Sequence, residues 1–452
     1  MDKRKYSIKE HGFCKVQSII KTYGFDYSWS KNLLLTGVAL IVGIIMCLFM
    51  RVKATGIGVV VAGIVLMVPV IAKYHYWALY EEKRFSDTVD YMEYVIYSFL
   101  RMPKIINALQ EVKKLCNGRM KQCIEKTVDR IQYADDYKEI YEDAFYHIEK
   151  EYGNDRMRAL HHFLARIEQQ GGDYAQSLEV LLEDIRQWSE MIYLLQKERR
   201  ELQRKAALSI LLSVAVAITM VGLLPKEVGD ISQNSLYQIS SVAFLLLSMT
   251  VYVLSRRSLI RSWLTTENND EMIKKAYDYC SSKESCKGRH YRYMQKKVIQ
   301  SIQKEFPMWL RNVILNMQTE NVFIAMEKAA EDTSYPLRSE LKNTLQKIEE
   351  RPGSIQAYQH FLEKFEVKQI KMVFLMFYSL NEFGTKEAQN QLNAMIQRNN
   401  KLAKQSERFI NEEELGIFGI YMLLPMVIAA GKMLLDMWVF VQQFLVFYSN
   451  VV

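Results

Sequence analysis

Residues 197–225 read KERRELQRKAALSILLSVAVAITMVGLLP, and the change of character at residue 206 decides the fold class. Lys197, Arg199, Arg200, Arg204 and Lys205 crowd the first nine positions; the next 19, residues 206–224, hold ten Leu, Ile or Val and no charge. A helix of about 20 apolar residues crosses a hydrocarbon core of about 30 Å. Each aliphatic side chain favours insertion by roughly 0.3–0.6 kcal/mol, whereas Lys205 at mid-membrane would cost roughly 3 kcal/mol. The span therefore starts after Lys205, and Pro225 closes it. Four other runs lack charge: 33–50, 54–72, 231–255 and 415–431. Leu33 lies too deep for a cleavable signal peptide, and a second run follows at once.

The cations orient these spans. Lys3, Arg4, Lys5, Lys9, Lys15, Lys21 and Lys31 precede the first, and Arg256, Arg257 and Arg261 follow the fourth. The connectors carry only Arg51 and Lys53, and Lys226. The positive-inside rule then places 1–32 and two charged blocks, 73–205 and 256–414, in the cytoplasm of a multi-pass protein of the cell (inner) membrane. The end of the chain has two readings. A fifth span from 415 reaches the outer interface near Lys432, which pairs with Asp436 four residues on, leaving an interfacial tail; the other reading is a sixth span that returns inside. The first is the expectation.

Composition supports a mosaic rather than a soluble globule. The 452 residues allow about three domains, and mean hydropathy is only −0.11 although half the residues are hydrophobic. Seven prolines and 19 glycines argue against long disorder and against a turn-rich β protein. The net charge of +8 sits beside the apolar runs, which points to membrane orientation rather than nucleic acid. Cys14, Cys47, Cys116, Cys123, Cys280 and Cys286 form no CxxC pair and no disulfide framework, as in a reducing compartment. The spacing of Cys280, Cys286 and His290 fits no common zinc pattern.

Both charged blocks carry the three–four spacing of amphipathic helices. Phe85, Val89, Met92, Val95, Ile96, Phe99 and Leu100 form one stripe, and Tyr174, Leu178, Leu181, Leu182, Ile185, Trp188, Ile192 and Leu195 another. Trp309, Val313, Leu315 and Met317 repeat the pattern, as do Ile370, Val373, Phe374, Phe377 and Leu380. Tyr91, Tyr94 and Tyr97 belong to core and rim. One-faced helices must pack on each other, so each block is expected to be an antiparallel bundle.

The blocks also resemble each other. Phe85 opens a segment leading to Pro103 and Ala108, and Phe306–Pro307 opens one leading to Ala325. Gly171–Gly172, with Asp173 as N-cap, precedes the helix into the third span, and Gly384 precedes the helix into the fifth. The spacings are 64 residues (Ala108 to Gly172) and 59 (Ala325 to Gly384), which reads as a half-chain duplication. The expected organisation is an N-terminal segment (1–32), a transmembrane hairpin (33–72), bundle 1 (73–205), a second hairpin (206–255), a linker (256–299), bundle 2 (300–414) and a last transmembrane helix with its tail (415–452).

At these residues a family resemblance enters. FSDTVDYMEYVIYSFL…MPKIINAL, then GGDYAQSLEVLLEDIRQW…RRELQRKAA and a membrane span, resembles the F-domain family of type II secretion systems. Its members are the polytopic platform proteins of type II secretion, type IV pili and tight-adherence pili. FPMWLRNVILNMQTENVFIAMEKA and LNEFGTKEAQNQLNAMIQRNNKLAK resemble a more divergent copy, and the similarity spans roughly residues 74–225 and 300–435. It implies an all-α membrane protein with tandem cytoplasmic F-type domains. It also implies a non-catalytic, cofactor-free role: coupling a cytoplasmic secretion-type ATPase to pilin-like subunits beside other platform subunits. Pro103, Ala108, Gly171, Gly172, Pro307, Ala325 and Gly384 become structural or partner-docking candidates.

Catalytic signatures are missing: no GxxxxGK[ST], GxSxG, HExxH or GxGxxG occurs. His161–His162 reads as two polar residues on a bundle helix. Glu412–Glu413–Glu414 reads as a solvated membrane-edge cluster, since adjacent helical residues point to different faces. A receptor or relay protein has too little chain outside to sense with, and the first four spans lack the buried charges of a transporter site. The topology predicts that cysteines placed at Gln132 or Lys347 resist labelling in intact cells until the membrane is permeabilised; labelling from outside at either position refutes it.

Overall fold

A computed structural model of the chain describes residues 17, 20–21, 24–25, 28–133, 140–171, 174–223, 231–258, 260, 262–264, 270–282, 288–317, 320–331, 333–359, 361–362, 365, 367–383 and 388–451. Among the described residues the regular structure is helical, with no strand. Helices α1 (Trp29–Phe49) and α2 (Ala54–Arg101) precede α3 (Ile105–Leu115), α4 (Gly118–Gln132), α5 (Ile140–Tyr152), α6 (Asp155–Gln170) and the long α7 (Ala175–Leu223). A 3-10 turn, Ile231–Gln233, leads to α8 (Ser235–Ser258). Then come α9 (Asp270–Ser282), α10 (Arg289–Asn316), α11 (Val322–Glu331), α12 (Leu337–Glu350), α13 (Ile355–Gln359), α14 (Lys368–Phe383) and α15 (Ala388–Val451). Helices α1, α2, α7, α8 and α15 are long and apolar enough to cross a membrane. The chain divides into two compact units: Met1–Arg84 with Leu194–Trp263 and Glu413–Val452, and Phe85–Tyr193 with Leu264–Glu412.

The first unit is apolar. Cys47, Val60, Ile64, Val68, Val214, Ala217, Phe244, Leu245 and Ala429 draw all five apolar helices into one cluster. Lipid offers no hydrophobic drive between helices, so close approach and hydrogen bonds matter more. Gly43 faces the end of the Ile64 side chain and Gly63 that of Leu246, so a Cβ at either position would have to push a terminal methyl aside. The Ser209 hydroxyl donates to the Met422 carbonyl at 2.6 Å. Outward-facing side chains such as Leu34, Leu66, Leu211 and Val427 stay exposed. Residues 50–53 meet the start of α8 and the turn before it. The Gln238 side chain bonds Lys53 N–H (2.8 Å) and the carbonyls of Arg51 (3.0 Å) and Ser232 (2.7 Å), and Tyr237 O–H reaches the Met50 carbonyl at 2.6 Å.

The second unit is the charged, helical one. The stripes read from sequence are its core: Val89, Met92, Val95, Ile96, Phe99, Leu178, Leu181, Ile185 and Trp188 are buried. Tyr91 is buried, whereas Tyr94 and Tyr97 are exposed rim residues. Residues 264–412 build an aromatic stack, with Phe374 parallel to Trp309 (5.5 Å between centroids, 9°) and stacked on Phe361 at 3.9 Å. The order of helices recurs. After α2 come helices of 11, 15, 13 and 16 residues and then α7; after α10 come 10, 14, 5 and 16 residues and then α15.

Several boundaries differ from expectation. Phe85 does not open a helix, because α2 runs through it from Ala54. Pro307 lies inside α10. The stripe Tyr291, Met294, Val298, Ile302 and Phe306 packs into the core upstream of it, and that burial outweighs the proline's helix-breaking tendency. The expected linker contains α9, whose Ala276, Tyr277 and Cys280 join the same core. Two bundles were expected, but 85–193 and 264–412 cluster as one compact unit. At the C-terminal end the described residues hold one unbroken helix, α15, which runs to Val451 with its apolar stretch over Phe418–Val446 and does not turn back after residue 431. Pro225, Gly172, Asp173, Cys286 and Gly384 lie outside the described residues.

Phe374→Ala removes the ring between Trp309 and Phe361. The expected loss is about 3–5 kcal/mol of stability, read as a lowered unfolding midpoint of the full-length protein in detergent by tryptophan fluorescence. An unchanged midpoint contradicts the stack's role.

Candidate functional site

The first-half motif residues form an elbow. Helix α6 starts at Asn154, whose side-chain oxygen accepts from Met157 N–H at 2.8 Å, and ends at Gly171. Gly171 adopts φ +70°, ψ −156°, a conformation reserved almost wholly for glycine. Three residues before it, Glu168 accepts the Ile105 N–H at 2.8 Å and so caps α3, placing a negative charge at the positive end of that helix. Burial and Glu168 together push the Tyr141 hydroxyl up to about 12. Phe99 and Tyr174, on either side of the elbow, meet edge to face at 6.0 Å. Ala108 is buried at the fourth position of α3, and Ala325 is buried at the fourth position of α11. Pro103 is exposed between α2 and α3. The structure therefore joins the start of α3 at Ile105 to Glu168 near the end of α6, while Pro307 and Ala325 lie elsewhere, on α10 and α11.

A buried charge cluster links the halves of the charged unit. Asp184 on α7 accepts from Arg156 on α6 (3.1 Å) and from Arg311 on α10 (3.3 Å). Arg156 also stacks on Trp188, 4.8 Å from the ring centre. Burial raises the pKa of the Asp184 carboxyl, but the two guanidinium groups outweigh it and hold the group below its ordinary range. Sequence reading missed this cluster, although its signal was present: Arg311 and Asp184 each stand among the apolar residues of an inward stripe.

His161 is a second buried polar point. Glu149 accepts at 2.7 Å from Nδ1, so that nitrogen carries the proton and Nε2 accepts the Tyr91 hydroxyl at 3.0 Å. Phe145 stacks on the ring at 3.8 Å. Burial lowers the His161 pKa and raises that of Tyr91, so the imidazole and the phenol both stay neutral. With both residues sealed from solvent, it fixes α2, α5 and α6 rather than meeting a substrate.

A cavity of about 730 Å³ lies between α6 and α10. Among the described residues, two buried polar atoms of its lining have no partner: Trp309 Nε1 and Asn312 Oδ1. Cations (Arg158, Arg166, Lys304, Lys328) and acids (Glu142, Asp155, Glu305, Glu331) line it in equal number, a mixture suited to polar binding without a strong preference for either charge. Among the described residues no group of three His, Cys, Asp or Glu is arranged to hold a metal.

In the apolar unit, Lys432 and Asp436 form the ion pair expected from their spacing, and both are almost fully buried. The Lys432 ammonium lies 4.1 Å over the Tyr237 ring. This links α15 through Tyr237 to the carbonyl of Met50.

No family model matches the chain, and no curated protein or solved structure is similar to it.

The buried groups predict a two-stage acid response. His161 holds its pKa below the free value, so the unfolded chain takes a proton first and stability falls as pH drops below about 6.5. The Asp184 contribution is complete above about 4 and is lost as pH falls through its depressed folded value. Asp184→Asn leaves Arg311 buried without its counter-charge, at an expected cost of roughly 3–5 kcal/mol near neutrality. Unfolding midpoints across pH test this: His161→Gln should remove the first stage and Asp184→Asn the second.

Proposed function

We propose that the protein is a non-catalytic membrane platform of a secretion or pilus-assembly machine of the type II secretion, type IV pilus or tight-adherence kind. In this reading the apolar unit sits in the cell membrane and the charged unit in the cytoplasm. A secretion-type ATPase docks on the charged unit, and pilin-like subunits meet the membrane helices.

One observation carries the reading. Helices α2, α7 and α15 each hold residues of both units without a break, so a displacement of the helical unit continues along the same backbone into a span. A continuous helix with few glycines resists bending. The connectors between spans are short and leave little to sense a stimulus with, which favours a platform over a receptor or relay.

The Gly171 elbow sets where α7 begins. Gly171→Val together with Gly172→Val should misplace that helix while membrane insertion stays intact, because a β-branched residue is strained at φ +70°. The expected outcome is loss of filament assembly and of ATPase co-purification. Loss of the ATPase from Gly384→Val alone would move docking to the second half. Normal assembly by both variants would remove the elbow from the mechanism.

A further inference from the structure

A smaller pocket of about 130 Å³ lies inside the apolar unit, where the spans give way to charge. Its walls come from α2 (His75, Leu79, Glu82), α7 (Gln196, Arg199, Arg200, Gln203) and the end of α8 (Arg256). Three arginines thus face one carboxylate, leaving an excess of positive charge.

The arginines are held in place. Arg199 is buried and stacks on Trp263 at 5.2 Å. Arg256 bonds Gln203 Oε1 at 3.2 Å and the Tyr252 hydroxyl at 3.0 Å. Arg200 lies 3.5 Å from Glu82. Gln196 is 2% exposed, and its Nε2 donor is buried with no partner among the described residues. A cationic pocket of fixed fork-shaped donors, plus one unanswered amide donor, suits an anion with several acceptor oxygens. The size suits a phosphate rather than a nucleotide.

Position identifies its carrier. The pocket lies within about ten residues of the ends of three uncharged runs, those closing at 72 and 255 and that opening at 206. Leu79 at the pocket is exposed, and Leu211, also exposed, continues the α7 face of Arg200 and Gln203 into the span. An acyl chain attached to the phosphate has an apolar track beside the pocket.

We propose that this pocket binds the phosphate of an anionic phospholipid headgroup, which accepts from Gln196, Arg199, Arg200 and Arg256 while an acyl chain lies along Leu79 and Leu211. The site rests on the membrane-spanning segments alone and stands whether or not the platform reading does.

The test uses full-length protein in detergent with three probes added separately: phosphatidylglycerol, phosphatidylcholine and inorganic phosphate. Binding is read by thermal shift and by lipid retained in native mass spectra. Phosphatidylglycerol should be retained and raise the unfolding midpoint, whereas phosphatidylcholine and inorganic phosphate should not. Gln196→Leu removes one donor without removing a charge and should weaken phosphatidylglycerol binding about tenfold; Arg200→Gln should weaken it at least as much. Equal binding of both lipids overturns the proposal, as does unchanged affinity in both variants. An equal shift with inorganic phosphate assigns the pocket to a free anion and overturns the lipid assignment.

Discussion

A backbone amide inside a bilayer has no water to bond, so it must be satisfied within its own helix. The rest of the architecture follows from that requirement. The apolar helices α2 and α15 are uninterrupted even though Pro69 and Pro425 sit inside them. The chain turns at the connectors, and there the freed groups are met individually, by Gln238 on Lys53, Arg51 and Ser232 and by Tyr237 on Met50. Helix is favoured both by the apolar runs and by the amphipathic stripes next to them, so α2, α7 and α15 pass from one to the other without a break.

Apolar stripes are non-directional, so they make helices pack without settling which helix meets which. The buried ionic groups supply that choice. Asp184 meets both Arg156 and Arg311, which ties α7 to α6 and to α10. Lys432, with Asp436 and the Tyr237 ring, does the same for α15 against α8. Breaking such a pair strands a buried charge, which is why the cost exceeds the strength of the bond itself. The small residues Gly43 and Gly63 add to this by letting the Ile64 and Leu246 side chains approach closely.

The membrane helices and stripes were legible because hydrophobicity and period are local properties of the chain. Each of the five runs overlaps an apolar helix, runs 33–50 and 231–255 agree with theirs within about four residues at both ends, and residues of the Phe85, Trp188, Trp309 and Phe374 stripes are buried as their spacing requires. The misplaced boundaries share one cause. Pro307 and the 256–299 segment look like interruptions locally, but α9 and the upstream turns of α10 bury Ala276, Tyr277, Val298 and Ile302 in tertiary contacts that no window of sequence contains. The Asp184 cluster was missed for a related reason. Its members are 28 and 127 residues apart, and each reads singly as an ordinary charge on a helix. The Lys432–Asp436 pair was readable because a spacing of four on one helix is local.

The recurrence of helix order does not make the halves equivalent. The first half lies between α2 and α7, each of which continues into an apolar run; the second is preceded by α9 and continues into such a run only through α15. Two continuous helices constrain the first half at both ends, whereas the second has one such constraint and gains another through Arg311, which binds the first half's Asp184. The ion pair therefore does for the second half what a continuous helix does for the first. A buried charge pair, an expensive choice in an isolated bundle, thus ties residues 264–412 to 85–193 where only one continuous helix, α15, leads into an apolar run.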